Sequence, residues 1–284
     1  MFSHGYVLLG LDDSEHDEAL HWAAREARSL RTDLRIVRAI HWSTHLAPWD
    51  SIDDCAISAG YRGAVETLLR QTIGQMHELY PDVVAHCEAV DAYPSRALLD
   101  RSRDAVLTVV GAHKLHATDG TALGPVSALI AAQAPGPVVL VGGTSDPSTN
   151  PAVVVGVDDS PVTDDVLSFA FDYAHRHGRP LRALVCWPVD PLAEAQSRPA
   201  PQPSERAQQW LADTLGAWSE KYPDVEVRRT VLRNRPVAGL INASLGQDLL
   251  VVGGHSRQAR PSALLGSVTQ GVVHHAGCPV AVVR

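Results

Sequence analysis

Aromatic residues are scarce in this 284-residue chain: they make up 5% of it, with three phenylalanines. Its cores must therefore be built from valine, leucine and alanine, and a 45% hydrophobic share is enough for that. Cysteine is also thin. The four, at 55, 87, 186 and 278, are scattered in a way that suits buried reduced thiols and not a disulfide framework. Basic charge is lacking: a formal net charge of −8 argues against nucleic-acid binding, which needs a basic surface to neutralise phosphates. No apolar run approaches the ~20 residues that span a bilayer, and Met1 to Tyr6 carries no signal-peptide pattern. The expectation is a cytoplasmic protein with no nucleic-acid or membrane partner, long enough for two ordinary domains.

What the chain does have, it has twice. Tyr80-Pro81-Asp82 returns as Tyr222-Pro223-Asp224, Pro94 as Pro236, Gly111 as Gly253 and Gly124 as Gly266, all at an offset of 142. Near the start of each half, Gly10-Leu11-Asp12-Asp13-Ser14 returns as Gly156-Val157-Asp158-Asp159-Ser160 at an offset of 146. A period this long is a duplicated domain, not a solenoid repeat. The halves are expected at 1–144 and 150–284, joined by the small, polar, proline-bearing stretch from Gly142 to Pro151.

Within each half, short Val/Leu-rich runs alternate with helical periodicity. Strands are expected at Tyr6–Leu9, Leu34–Ile40, Val83–Val90, Ala105–Val110 and Val138–Val141. In the second half they are expected at Val153–Val157, Leu181–Trp187, Glu226–Leu232, Leu249–Val252 and Val280–Val283. Helices are expected at Glu18–Leu30, Arg62–Leu79, Ser95–Arg103, Val126–Ala132 and from about Ser204 to Lys221. Continuous apolar strands imply sheets covered on both faces, and strand–helix alternation implies parallel order. The expected fold class is α/β, with two tandem, doubly wound, parallel five-stranded sheets of Rossmann-like, adenine nucleotide alpha hydrolase-like type. An apolar last strand in each half is an aggregation hazard unless paired, so the halves are expected to associate as an internal pseudo-dimer. Whether two chains then form a homodimer stays open.

The most informative stretch is Asp248-Leu-Leu-Val-Val-Gly253-Gly-His-Ser256, followed after nine residues by Gly266-Ser267-Val268-Thr269. A buried strand feeds a small-residue turn, and a second Gly-Ser opens a helix. Glycine permits close backbone approach, and a helix N-terminus offers unpaired N–H donors and a positive dipole end. The spacing resembles the nucleotide-binding signature of the universal stress protein family: Gly, two residues, Gly, nine residues, Gly-Ser or Gly-Thr. Gly253, Gly266 and Ser267 match, while Ser256 stands where the middle glycine is expected. Leu264 to Gln270, His274 to Val280 and His21 to Arg28 also look like that family, of the tandem, actinobacterial, ATP-binding kind.

The resemblance implies an adenine nucleotide, ATP or an ADP- or AMP-type ligand, with Mg²⁺ as an optional companion. It would lie on Gly156, Val157 and Asp158 after strand one, on the main chain of Cys186 at the end of strand two, and on Gly253, Ser256, Gly266, Ser267, Val268 and Thr269. The first half offers weaker counterparts in Asp12, Ala39, Gly111 and Gly124. There Lys114 replaces the middle glycine, and Pro125, with no hydroxyl and no N–H, replaces the helix-start serine. Competing structural roles are ordinary ones. Asp158 can be a turn-former, Ser160 and Thr163 can cap the next helix, and His255, Arg257 and Arg260 can be a solvated loop face. His274, His275 and Cys278 lack the spacing of a zinc site. No water-activating base or metal pair stands beside the loop, so a regulatory stress protein with slow or no hydrolysis is expected and no catalytic residue is assigned. The alternatives are a nucleotide-free scaffold and a slow ATP hydrolase.

Overall fold

The structure is a computed structural model that describes residues 5–11, 17–40, 54–112, 114–115, 122–142, 148–187, 205–254 and 265–284. In chain order its elements are β1 (Tyr6–Gly10), α1 (Asp17–Leu30), β2 (Asp33–Ile40), α2 (Asp54–Leu79), β3 (Ala85–Asp91), α3 (Pro94–Ser102), β4 (Ala105–Gly111), β5 (Lys114–Leu115), β6 (Ala122–Leu123), α4 (Pro125–Gln133) and β7 (Val138–Val141). There follow β8 (Val153–Gly156), α5 (Thr163–His177), β9 (Leu181–Trp187), α6 (Glu205–Lys221), β10 (Val227–Arg233), α7 (Pro236–Ser244), β11 (Leu249–Gly253), α8 (Ser267–His275) and β12 (Val280–Val283).

The expectation of two separate five-stranded sheets is overturned. Ten strands form one large sheet, in the order β10-β9-β8-β11-β12-β7-β4-β1-β2-β3, with eight helices among the described residues. The physical reason lies in the last strands: all four residues of β7 and of β12 are buried, so neither stands at a sheet edge. The outer edges are instead β10 and β3, whose residues are mostly half-buried or exposed. A separate two-stranded antiparallel piece joins β5 to β6.

Contacts group the chain into two compact units, one of Met1–Gly111 with Pro125–Val138, the other of Ala112–Gly124 with Val139–Arg284. In the first, β1 pairs in parallel with β2 and β4, and β2 with β3. In the second, β8 pairs in parallel with β9 and β11, β9 with β10, and β11 with β12.

In the second unit, helix α5 shows why these residues fold as they do. Val166, Leu167, Ala170, Phe171 and Ala174 recur at helical spacing and are buried. Phe171, fully buried, stacks with Trp218 at 6.0 Å and Tyr222 at 5.7 Å between ring centroids. The helix ends where Gly178 takes a left-handed conformation (φ 59°) and donates its N–H back to Ala174 and His175. At the end of α1 in the first unit, Arg31 takes the same conformation (φ 53°) without glycine's freedom.

Candidate functional site

The chain passes from β8 to β9 on one side and later returns to β11 on the other side of β8. That reversal is a switch point, and the crevice beyond the carboxyl ends of its strands is where open α/β sheets hold ligands. A pocket of about 140 Å³ opens there. Eight of the expected residues line it: Gly156, Val157 and Asp158 after β8, Cys186 on β9, Gly253 at the end of β11, and Gly266, Val268 and Thr269 at the start of α8. Ser267 is the exposed first residue of α8 and does not line the pocket. Ser256, with His255, Arg257 and Arg260, lies outside the described residues.

The remaining wall is not among the expected residues. It is formed by Thr163, Val166, Leu184, Pro236, Leu240 and Val252. Five of these are apolar and look like ordinary core in a sequence. Two signals point to them: Leu184 lies two residues before Cys186 on the same strand face, and Pro236 repeats Pro94. Leu240 approaches Gly156 so closely that a Cβ at 156 would stand 3.1 Å from its side chain. In the first half Gly10 and Leu98 repeat the contact, with a built Cβ at 2.8 Å.

The polar groups divide into those already engaged and those left over. Asp158 closes an Asx turn, its Oδ1 accepting the Ser160 N–H at 3.1 Å. The Thr163 hydroxyl lies 2.7 Å from the Asp158 carbonyl oxygen and 2.8 Å from that of Ser160. Neither Ser160 nor Thr163 caps α5 in the expected way, because the cap residue is Val162 and no side chain bonds the helix end. At the glycine loop, Gly254 N–H donates to Val283 O at 2.7 Å and Gly266 N–H to Gly254 O at 3.0 Å. The Thr269 hydroxyl donates to Gly253 O at 2.6 Å, tying the start of α8 to the end of β11. The helix ladder begins with Gln270 N–H on Gly266 O. The N–H groups of Ser267, Val268 and Thr269 are the first-turn donors that the helix ladder does not use, at the positive end of α8 beside the pocket. The Cys186 thiol faces the Pro236 carbonyl at 3.9 Å, and burial pushes its pKa up.

The first half keeps the scaffold and changes the loop. Ser127 Oγ donates to Gly111 O at 2.7 Å, repeating the tie made by Thr269. Ala39 pairs with Val90 between β2 and β3, and Gly124 is buried just before Pro125 opens α4. Asp12 lies outside the described residues. The backbone of Lys114 pairs with Leu123 in the β5–β6 hairpin. Leu123 N–H then donates to His274 Nδ1 at 2.8 Å, a bond across 151 residues. His274 thus serves as an acceptor on the last turn of α8, with its proton on Nε2 in the neutral ring.

The crossover at β8, with a pocket beneath a helix N-terminus, defines an open, parallel α/β fold with its crevice at the switch point. The chain belongs to the universal stress protein family, whose model matches residues 5–142 and again 150–284, so the family unit occurs twice in tandem. It is 34% identical to a universal stress protein of Mycolicibacterium smegmatis, over 98% of this chain and 96% of that protein. It is 32% identical to one from Mycobacterium tuberculosis, again over 98% and 96%. These relatives place its affinity among the actinobacteria. A universal stress protein structure from Archaeoglobus fulgidus shares the fold with a TM-score of 0.70 at 15% identity, covering 99% of this chain and 97% of that one. One from Pseudomonas aeruginosa does so with a TM-score of 0.64, covering 98% and 92%. Among the described residues no helix is long and apolar enough to cross a membrane.

Proposed function

We propose that the second half, residues 150–284, binds an adenine nucleotide, ATP or an ADP- or AMP-type ligand, and that the protein acts as a regulatory stress protein with slow or no hydrolysis. One observation carries the reading: residues from distant segments, Gly156 to Asp158, Cys186, Gly253, and Gly266 with Val268 and Thr269, line a single pocket next to the first-turn N–H groups of α8. The apolar stretch of Val166, Leu184, Leu240 and Val252 suits a nucleoside, and the helix N-terminus suits phosphate oxygens. The residues present therefore fit the ligand. Among the described residues no three His, Cys, Asp or Glu side chains gather to hold a metal. Mg²⁺ would thus travel on the ligand phosphates and not in a protein cage.

The first half, residues 1–144, is the poorer site in this reading. Pro125 removes an N–H at the position equivalent to Ser267, and the neighbouring β6 is bonded to His274. A second reading, a nucleotide-free scaffold, has specific support as well, because the Gly266 N–H and the Thr269 hydroxyl are both satisfied within the loop. Purifying the protein, releasing any bound small molecule by heat and identifying it by mass spectrometry tests both. An adenine nucleotide in near-stoichiometric amount supports binding. An empty protein that also shows no heat of binding on titration with ATP, ADP or AMP supports the scaffold.

A further inference from the structure

One contact that the nucleotide reading leaves unused joins the β5–β6 hairpin to α8. The hairpin lies between Gly111 and Gly124, the first-half counterpart of the stretch whose ends, Gly253 and Gly266, line the pocket. It is small: two residue pairs, Lys114 with Leu123 and Leu115 with Ala122, in a sheet of its own. A hairpin of that size is marginal alone, so its hold depends on what it rests against. Strand β6 packs on α8 within the same compact unit. Leu123, 8% exposed, donates its N–H to His274 Nδ1 at 2.8 Å. The ring stands on a firm base, because Ala276 N–H bonds Val272 O and Gly277 N–H bonds Ser244 Oγ, each at 2.9 Å. The arrangement is one-sided: 142 residues earlier, the first-half equivalent of His274 is Ala132, which has no side-chain acceptor.

Only an uncharged imidazole can make this bond. A charged ring carries N–H on both nitrogens and would set one donor against another at Leu123. The charged ring is favoured in a different way: His274 and His275 both lie in the last turn of α8, where the helix dipole favours cations. The elements packed most closely on α8, namely α7, β12 and β6, carry no titratable side chain. The His275 ring lies 6.2 Å away between centroids, and Lys114 is on the partner strand β5. Asp248, just before β11, is engaged by Tyr173 at 3.1 Å and by Arg179 at 3.5 Å. The tip of the hairpin, residues 116–121 with His116 and Asp119, lies outside the described residues. We propose that His274 is a proton-sensitive latch. Neutral, it holds the β5–β6 hairpin on α8; protonated, it releases it, so that mild acid frees this loop of the first half while the ten-stranded sheet stays intact. The inference is independent of the nucleotide reading.

Amide hydrogen exchange at Leu123 in the full chain, corrected for the intrinsic pH dependence of exchange, tests it. A released histidine titrates at about pH 6.5, so its neutral fraction, and with it the tendency to latch, falls roughly tenfold between about pH 7.5 and about pH 5.5. Protection of Leu123 is expected to fall by that factor, while Val251, fully buried in β11, keeps its protection. In His274→Asn the response should vanish, since that side chain does not titrate, and the variant's melting temperature checks its fold. His275→Asn should respond as the wild type does. Wild-type protection that does not change with pH overturns the inference. So does a loss that persists in His274→Asn, one that vanishes in His275→Asn, or one shared equally by Val251.

Discussion

Replacing Ser267 by proline should weaken nucleotide binding without unfolding the protein. The change copies into the second half the Pro125 that the first half already carries. Ser267 is the first residue of α8, so its N–H takes no part in the helix ladder, which begins at Gln270. Proline is well tolerated at that position. The residue before it, Gly266, already has the extended conformation that a following proline demands, with φ −58° and ψ 151°. Gly266→Pro would be a poorer probe, because it would also break the bond from Gly266 N–H to Gly254 O. With folding nearly untouched, what is lost is one charge-assisted donor to the ligand, worth about 1.5–3 kcal/mol, or roughly ten- to hundredfold in affinity. Isothermal titration with ATP gives the affinity, and a thermal melt of the free protein checks the fold. Unchanged affinity at an unchanged melting temperature would mean that the N-terminus of α8 does not hold the phosphate, and the assignment would fail.

Arg31→Gly should stabilise the first unit by about 0.5–1 kcal/mol, because relief of the left-handed strain at Arg31 outweighs glycine's entropy cost; an unchanged or lower urea midpoint refutes this. Thr269→Val keeps the side-chain shape at a site 3% exposed but leaves Gly253 O without its hydroxyl donor. It should cost about 1–3 kcal/mol by denaturant titration. The Arg101 guanidinium bonded to Glu88 holds that carboxyl below its ordinary value of 4.5. Its contribution is therefore complete above the glutamate range and is lost as pH falls through it. Since the Glu88 side chain is 44% exposed, Glu88→Gln should cost only about 1 kcal/mol or less at pH 7 and nothing near pH 2, a difference that chemical denaturation at the two pH values measures.

Strand positions are legible in the chain nearly to the residue: Leu181–Trp187, Val138–Val141 and Val280–Val283 stand where the sequence pattern puts them. A continuous apolar run of four to eight residues, bounded by turns, is too short for most helices and fits a buried strand. How those strands join is less legible, because a buried strand reads the same whether its sheet stops beside it or continues. Helix α2 starts at Asp54 and not near Arg62. Gly60 and Gly63 lower local helix propensity, yet the helix runs through both. In the site, Asp158, Gly253 and Gly266 stand out because glycine and aspartate in fixed register are unusual. Leu184, Leu240 and Val252 do not, since pocket wall and hydrophobic core use the same residues. Thr163 has the sequence context of a cap, but its hydroxyl is spent on the turn it follows.

The bond from Leu123 to His274 bears on how the protein is made. The compact unit that contains α8 also contains residues 112–124, so its chain is interrupted. Leu123 leaves the ribosome 151 residues before its acceptor. At bacterial elongation rates of about 5–20 residues per second, roughly 8–30 s pass in which the β5–β6 hairpin has no helix to rest on. A fragment beginning at residue 150 never receives that hairpin, so the last turn of α8 would keep its histidine but lose the backbone donor it is built to meet. The second half is complete as a sequence repeat, yet the compact unit built on it also takes in residues 112–124 and 139–149, all synthesised before that repeat begins.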